Sequence, residues 1–345
     1  MIHQLDTVPG RTCLINGKTY LFFSGYDYLG MQSHPEFIEI IKEGFGKYGW
    51  LHPSSRISNT RLHIYEACEQ LLSSKTSTEN SLLLSSGFLA GQALHKILSV
   101  YKDIYYAPRL HPALNPNPTA AVPGFSKWSQ ETLDIINSNI SAEPKIICFD
   151  AVDIFKPEIN DVSFLTNIKA DQKLIVVIDD SHGIGITGEI GKGASSYIHM
   201  QSNIEYVFVY SLSKAFNIIG GAVSGPKHII DLLKHSPAYA ASTAPAPGML
   251  HAFLHGQNIY TAQLKKLKDN INYFTNSAKG LSLSSDLNLP IVILNNINTD
   301  KELYDYEIII SSFNYPLSSS LKINRIVLNA GHTIEDIHQL ISVLA

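Results

Sequence analysis

Two stretches of the chain hold residues that could do chemistry together. In LIVVIDDSHGIGITGEIGKG, residues 174–193, a branched apolar run ends in Asp179 and Asp180, followed by Ser181, His182 and a series of glycines. An acid and an imidazole leaving the C-terminal end of a buried parallel strand stand where α/β proteins open their binding crevices. Gly183, Gly185 and Gly188 satisfy the G-x-G-x-x-G spacing of a dinucleotide site. That fingerprint must open a helix, however, and Glu189-Ile190-Gly191-Lys192-Gly193 is poor helix material. A phosphate loop also misses, because Gly193 stands where a Ser or Thr would hold magnesium. The plainer alternative makes both acids turn caps and His182 a satisfied polar group.

The second stretch, VFVYSLSKAFNIIGG, carries Lys214 just past another apolar run, beside Ser211, Ser213 and a glycine pair. Burial there disfavours the ammonium form and lowers its pKa, which is what an amine needs to attack a carbonyl and form a Schiff base. An isolated lysine is ordinarily an exposed charge, so the weight lies in the pairing of the two stretches.

The elements that must position these residues alternate. Leu82–Leu84, Ile146–Phe149, Leu174–Ile178 and Tyr206–Tyr210 read as strands apolar on both faces, and Asn59–Lys75 and Leu89–Val100 as helices between and before them. This is the pattern of an α/β protein, with a mostly parallel central sheet covered by helices on both faces. Ahead of it, Cys13–Ile15 and Tyr20–Phe23 flank the turn signal Asn16-Gly17, and Pro35–Tyr48 has helical spacing. After Tyr239, STAPAP interrupts the chain. A long helical stretch then runs from Gly248 to Gly280, with strands expected at Pro290–Leu294, Glu307–Ile310 and Arg325–Leu328. Thr333 caps a final amphipathic helix. The expected division is an N-terminal β segment (1–35), a large domain (36–240) and a smaller α+β domain (241–345).

Composition bounds the rest. The 345 residues carry a net charge of −4, with 45% hydrophobic and 16% charged residues, which excludes a disordered chain. No apolar run is long enough to span a membrane, and MIHQLDTVPG lacks the apolar core of a signal peptide, so a cytoplasmic location is expected. The absence of a basic excess argues against nucleic acid as a partner. Cys13, Cys68 and Cys148 are few and far apart, as expected of free buried thiols and not of a metal site.

Taken jointly, GYDYLG (25–30), SSGFLAGQA (85–93), RLHPA around His111, VIDDSHGIGITGEIGKG (177–193), SLSKAFNIIGG (211–221), STAPAP (242–247) and RIVLNAGHTIEDIHQLISVL (325–344) occur in one order over nearly the whole chain. In this the sequence resembles the α-oxoamine synthases, a family of fold-type I enzymes dependent on pyridoxal 5'-phosphate (PLP). The resemblance implies that Lys214 holds the cofactor as a Schiff base and later shuttles the Cα proton. It implies that Asp179 pairs with the pyridinium nitrogen, that His182 lies near the phenolic oxygen, and that His111 stacks on the ring. Ser86, Gly87 and Phe88, at a strand-to-helix junction, would bind the phosphate with Ser211, and Ser242 or Thr243 would reach the phosphate of a second subunit in a homodimer. Arg325 would grip the amino acid's carboxylate, a task for its planar fork of donors.

The implied reaction is decarboxylative condensation of a small amino acid, alanine first, with an acyl thioester such as pimeloyl-CoA or pimeloyl-carrier protein, a step of biotin synthesis. Glycine with an acetyl donor, or amino-group transfer on the same fold, are the alternatives. The chain departs from the family at Tyr26, at Trp50-Leu51-His52-Pro53-Ser54-Ser55, and at Asp150, Val152 and Ile154, where a serine is lost. Those positions lie where the acyl donor or a partner subunit would bind.

Overall fold

Two six-stranded sheets organise the chain in the computed structural model, which describes residues 2–115, 124–141, 143–281, 283–284, 288–296, 298–314 and 322–345. The central sheet has the spatial order Asn80–Leu84, Gly221–Gly225, Ile204–Ser211, Leu174–Asp179, Lys145–Asp150 and Ile104–Tyr106. The last four strands run parallel, and only Gly221–Gly225 is antiparallel to both neighbours. Alternate residues explain why the strands read as unbroken apolar runs. Ile175 and Val177 pack under helices Gly87–Leu98 and Lys227–Lys234, while Val176 and Ile178 join the core on the opposite face. This is the α/β architecture expected from the alternating pattern.

Parallel register fixes what emerges at the sheet's end. Asp150 lies opposite Asp179, and Asp179 opposite Val209 two residues before Ser211, so both acids and the approach to Lys214 leave by the same edge.

The second sheet mixes the two ends of the chain. Strands Thr12–Ile15 and Lys18–Phe23 form the hairpin signalled by Asn16-Gly17, whose φ values of 51° and 73° suit a tight two-residue turn. Lys18–Phe23 then pairs in parallel with Ile308–Asn314, followed by Lys322–Val327, Ile291–Leu294 and Leu283–Ser284. The long helical stretch divides at Gly256 into Pro247–His255 and Gln257–Ser277. The final helix, Ile334–Leu344, starts with Thr333 and Asp336 in a reciprocal capping box.

Strand Gly221–Gly225 and helices Phe125–Ser138 and Lys227–Lys234 were not expected from the sequence pattern. The strand's sequence, GAVSG, reads as a loop, yet its leading glycine is needed. A Cβ on Gly221 would collide with the backbone of Ser86 and Gly87, so the strand can lie against the next turn only without one.

One buried ion pair ties the helix His63–Thr76 to that region. Arg56 donates to Glu69 at 2.8 Å and to the Leu83 carbonyl at 3.0 Å, and Glu69 accepts the Leu83 amide at 2.8 Å. The guanidinium also lies over the rings of Tyr65 and Tyr239. Glu69→Ala leaves a buried guanidinium without its counter-charge and is expected to cost about 3–5 kcal/mol. The urea midpoint should fall with an unchanged slope, and pairing Arg56→Met with Glu69→Leu should restore part of the loss.

Candidate active site

His111, Asp179, His182 and Lys214 line one cavity of about 560 Å³, its open mouth included. Asp150 and Arg109 share it. Lys214 follows the Ile204–Ser211 strand in a tight turn whose hydroxyls bond each other, Ser211 Oγ to Ser213 Oγ at 2.8 Å. Desolvation lowers its amine from the usual lysine value to about 8, with Asp179 and Asp150 pulling back upward and Arg325 adding to the fall. The amine is thus half neutral near pH 8, where an ordinary lysine is almost wholly protonated, and the neutral form is the one that attacks a carbonyl.

Asp179 accepts the Ser181 amide at 2.9 Å, and the Ser181 hydroxyl in turn accepts the Ser211 amide at 3.0 Å, lacing the two strand ends together. Beside it, Asp150 is pushed well above the usual carboxylate range by burial and then by Asp179. Its carboxyl accepts the His111 amide at 3.2 Å and so anchors the loop that carries that imidazole. Burial lowers His111 and, more strongly, His182, where the charges of Lys214 and Arg325 act in the same direction.

Tyr28 has the most consequential contact that the sequence did not announce. Its hydroxyl lies 2.7 Å from His182 Nδ1, and burial holds the phenol up at about 12. A protonated phenol beside a neutral imidazole donates to Nδ1, which assigns the remaining ring proton to Nε2. The GYDYLG segment was visible, but nothing local in it showed that Tyr28 would meet a histidine 154 residues later.

The second acid and the glycine run have a different task. Asp180 is buried, raised well above its usual range, and accepts the Ala194 amide at 2.9 Å. A Cβ on Gly183 or Gly193 would strike its carboxyl group. Residues 183–193 fold as turns and short 3-10 segments around Asp180 and open no α-helix, which removes the dinucleotide reading.

At the other wall, Ser86 caps helix Gly87–Leu98 by accepting the Leu89 amide at 3.1 Å. The amides of Gly87 and Phe88, first in the helix, have no carbonyl a turn earlier to meet. Gly87 packs on Ser211, whose Cβ would stand 2.7 Å from an added Cβ, and the Phe88 ring meets His111 edge-on at 6.4 Å. Ser86, Gly87, Phe88 and Ser211 are outside the cavity's lining but reach it through His111 and through the turn that carries Lys214. Ser242 and Thr243 lie apart from its lining. Ser242 Oγ bonds the Ala238 carbonyl, and exposed Thr243 offers its carbonyl to Ser85 Oγ at 2.5 Å.

Arg325 is likewise outside the lining residues, but its charge reaches Lys214, His182 and Tyr28. It is buried on strand Lys322–Val327, its Nε has no partner among the described residues, and its guanidinium lies 5.5 Å from the Phe313 ring centre.

The donors fit PLP: a neutralisable amine and a carboxylate at a strand end in one cavity, and beside His111 and Ser211 a helix N-terminus with free amides for a phosphate. Comparison with known proteins agrees. The family model for aminotransferase class I and II matches residues 155–344. The chain belongs to that family and is a fold-type I, PLP-dependent enzyme. Within it the chain groups with the α-oxoamine synthases, which are acyltransferases. An 8-amino-7-oxononanoate synthase from Nitrosospira multiformis is 26% identical over 97% of this chain and 89% of its own length. A serine palmitoyltransferase from Sphingobacterium spiritivorum is 27% identical over 95% and 86%. Among solved structures, Sphingomonas wittichii serine palmitoyltransferase superposes with a TM-score of 0.84 at 18% identity, covering 99% of this chain and 90% of its own. The Francisella tularensis 8-amino-7-oxononanoate synthase does so at 0.74 and 24%, covering 94% and 96%.

Because the Lys214 amine titrates near 8, its capture of PLP by borohydride reduction should rise with pH and level off above that value. An amine with an ordinary lysine pKa would keep gaining reactivity past pH 9. Peptide mapping of the reduced protein across pH reads both the site and the profile.

Proposed function

We propose that the chain condenses L-alanine with a pimeloyl thioester, releasing carbon dioxide and the free thiol, as an 8-amino-7-oxononanoate synthase. The observation that carries the amino-acid half is that neither Lys214 nor buried Arg325 has an ion-pair partner among the described residues, although their charges act on each other. An unpaired buried guanidinium is costly and is relieved by a ligand carboxylate. The thioester half draws support from the synthase and palmitoyltransferase relatives.

PLP supplies the electron sink for the carbanion left when the Cα proton departs. Lys214 would hold the cofactor's carbonyl carbon until the amino acid's amine displaces it, then accept the Cα proton. Asp179 would keep the ring nitrogen protonated, and Ser86, Gly87, Phe88 and Ser211 would hold the phosphate. His111 would lie against the ring. His182, with Nε2–H directed by Tyr28, would donate to the phenolic oxygen or the substrate carboxylate. Arg325 would fix the carboxylate. The new bond joins Cα to the acyl carbon as the C–S bond breaks, carbon dioxide leaves, and a proton returns to Cα. Ser242 and Thr243 would reach the phosphate of a second copy, which would make the working unit a homodimer. Among the described residues no helix is long and apolar enough to cross a membrane, in keeping with soluble thioester substrates.

The test is purified protein with PLP, L-alanine and pimeloyl-CoA, run beside serine with palmitoyl-CoA and glycine with acetyl-CoA. Thiol release greatest with the first pair is expected. Keto acid from an amino acid alone would mark an aminotransferase, and no thiol from any pair overturns the reading. Lys214→Ala should lose the visible absorbance of bound PLP together with turnover. Arg325→Leu should raise the KM for the amino acid by about 10- to 100-fold, the worth of a charge-assisted hydrogen bond.

A further inference from the structure

Beyond Asp179, Lys214 and the two histidines, the cavity is lined by the polar side chains of Asp150, Asp153 and Asn160, by an apolar wall that includes Val152, Ile154 and Phe155, and by one further cation, Arg109. Three features set this arginine apart. Its φ is +58°, a left-handed conformation that a non-glycine residue adopts at a cost and that turns the chain two residues before His111. Its Nη2 is pinned at 2.5 Å to Oδ2 of buried Asp153, whose Oδ1 is itself fixed by the amides of Phe155 at 2.8 Å and Lys156 at 3.1 Å. Its guanidinium carbon lies 5.9 Å from the Phe155 ring centre, and its side chain stays 37% exposed.

The carboxylate behind it therefore orients the guanidinium and uses one of its donors. Among the described residues Nη1 and Nε have no hydrogen-bond acceptor, so the guanidinium, already oriented by Asp153, keeps N–H donors on both sides of Nη2 for a carboxylate or phosphate oxygen. Arg325, outside the lining, already serves the amino acid in the function proposed above, so an arginine within the cavity wall points to a second anion.

We propose that Arg109 is a specificity residue that binds an anionic group of the acyl donor, either a carboxylate at the far end of the acyl chain or a phosphate of the thioester's carrier. This rests on the thioester reading. The acyl carbonyl must reach the Lys214 end of the cavity, which leaves the rest of the donor against the apolar wall and the Arg109 side.

The experiment uses four donors of equal chain length: ω-carboxylated and methyl-terminated acyl groups, each on coenzyme A and on phosphate-free N-acetylcysteamine. They are assayed with the PLP-loaded protein and with Arg109→Gln and Arg109→Lys. In parallel, calorimetry on the cofactor-free protein measures affinity for the matching unreactive thioether analogues. If the acyl carboxylate is read, Arg109→Gln should cut the preference for ω-carboxylated over methyl-terminated donors at least tenfold on N-acetylcysteamine, chiefly in KM, with Arg109→Lys intermediate. If the carrier phosphate is read, the loss should follow coenzyme A whatever the acyl terminus. Equal effects on all four donors, or none, would overturn the proposal. Should the wild-type protein release no thiol from any donor, the thioester reading fails by itself, and analogue affinity still decides whether Arg109 selects anions.

Discussion

The site depends on a desolvated amine held near two carboxyl groups that cannot both be comfortably ionised. Asp150 and Asp179 stand opposite each other on adjacent parallel strands, and Lys214 leaves the next strand over. Burial alone would depress the lysine further, and each acid restrains that fall, which leaves the amine near 8. The same proximity drives Asp150 toward its neutral form. The two acids thus differ in task, Asp179 holding the Ser181 amide at the strand end and Asp150 anchoring the His111 loop through a hydrogen bond. A one-residue shift of either strand would turn these side chains to the opposite face, so the register of the central sheet is a condition of the chemistry.

Much of this was legible in the sequence because it depends on local patterns. Unbroken apolar runs marked the buried strands, and the residues just beyond them, Asp179, His182 and Lys214, were the ones that emerge into the cavity. Legibility failed where a residue's role depends on a distant neighbour. Asp180 read only as a second strand-end acid or a turn cap, and its task is longer-range: a buried carboxyl that accepts the Ala194 amide and around which Gly183 and Gly193 pack. Strand Gly221–Gly225 looked like a loop because its glycines serve close backbone approach and carry no β signal. Tyr28 and Asp153 act through His182 and Arg109, and neither pairing has a sequence spacing that a period could reveal.

The second sheet explains why the chain's ends matter to a site built on its middle. Tyr28 follows the Lys18–Phe23 strand, and Arg325 lies on Lys322–Val327, two places over in the same sheet. One sets the tautomer of His182, and the other places a positive charge on the cavity's flank. The central sheet alone carries the amine and the acid, whereas the buried arginine proposed for the amino acid's carboxylate stands on the second sheet. Association of the N-terminal hairpin with the C-terminal strands therefore brings Tyr28 and Arg325 to the same flank of the cavity.

That arrangement also separates two demands on the cavity. Affinity for an amino acid is assigned to Arg325, buried and unpaired, where a ligand carboxylate relieves an existing electrostatic cost. Discrimination among acyl donors would fall to a wall of side chains from Pro108, Arg109 and residues 152–155, a wall that includes Ile154, where the family's serine is lost. A carboxylate taken up at a buried guanidinium loses water on both partners and rewards close geometry. A half-exposed arginine oriented by Asp153 gives a shallower preference that can change without disturbing Lys214. Substrate range can therefore vary at the Arg109 wall while the strand ends that hold the cofactor stay fixed.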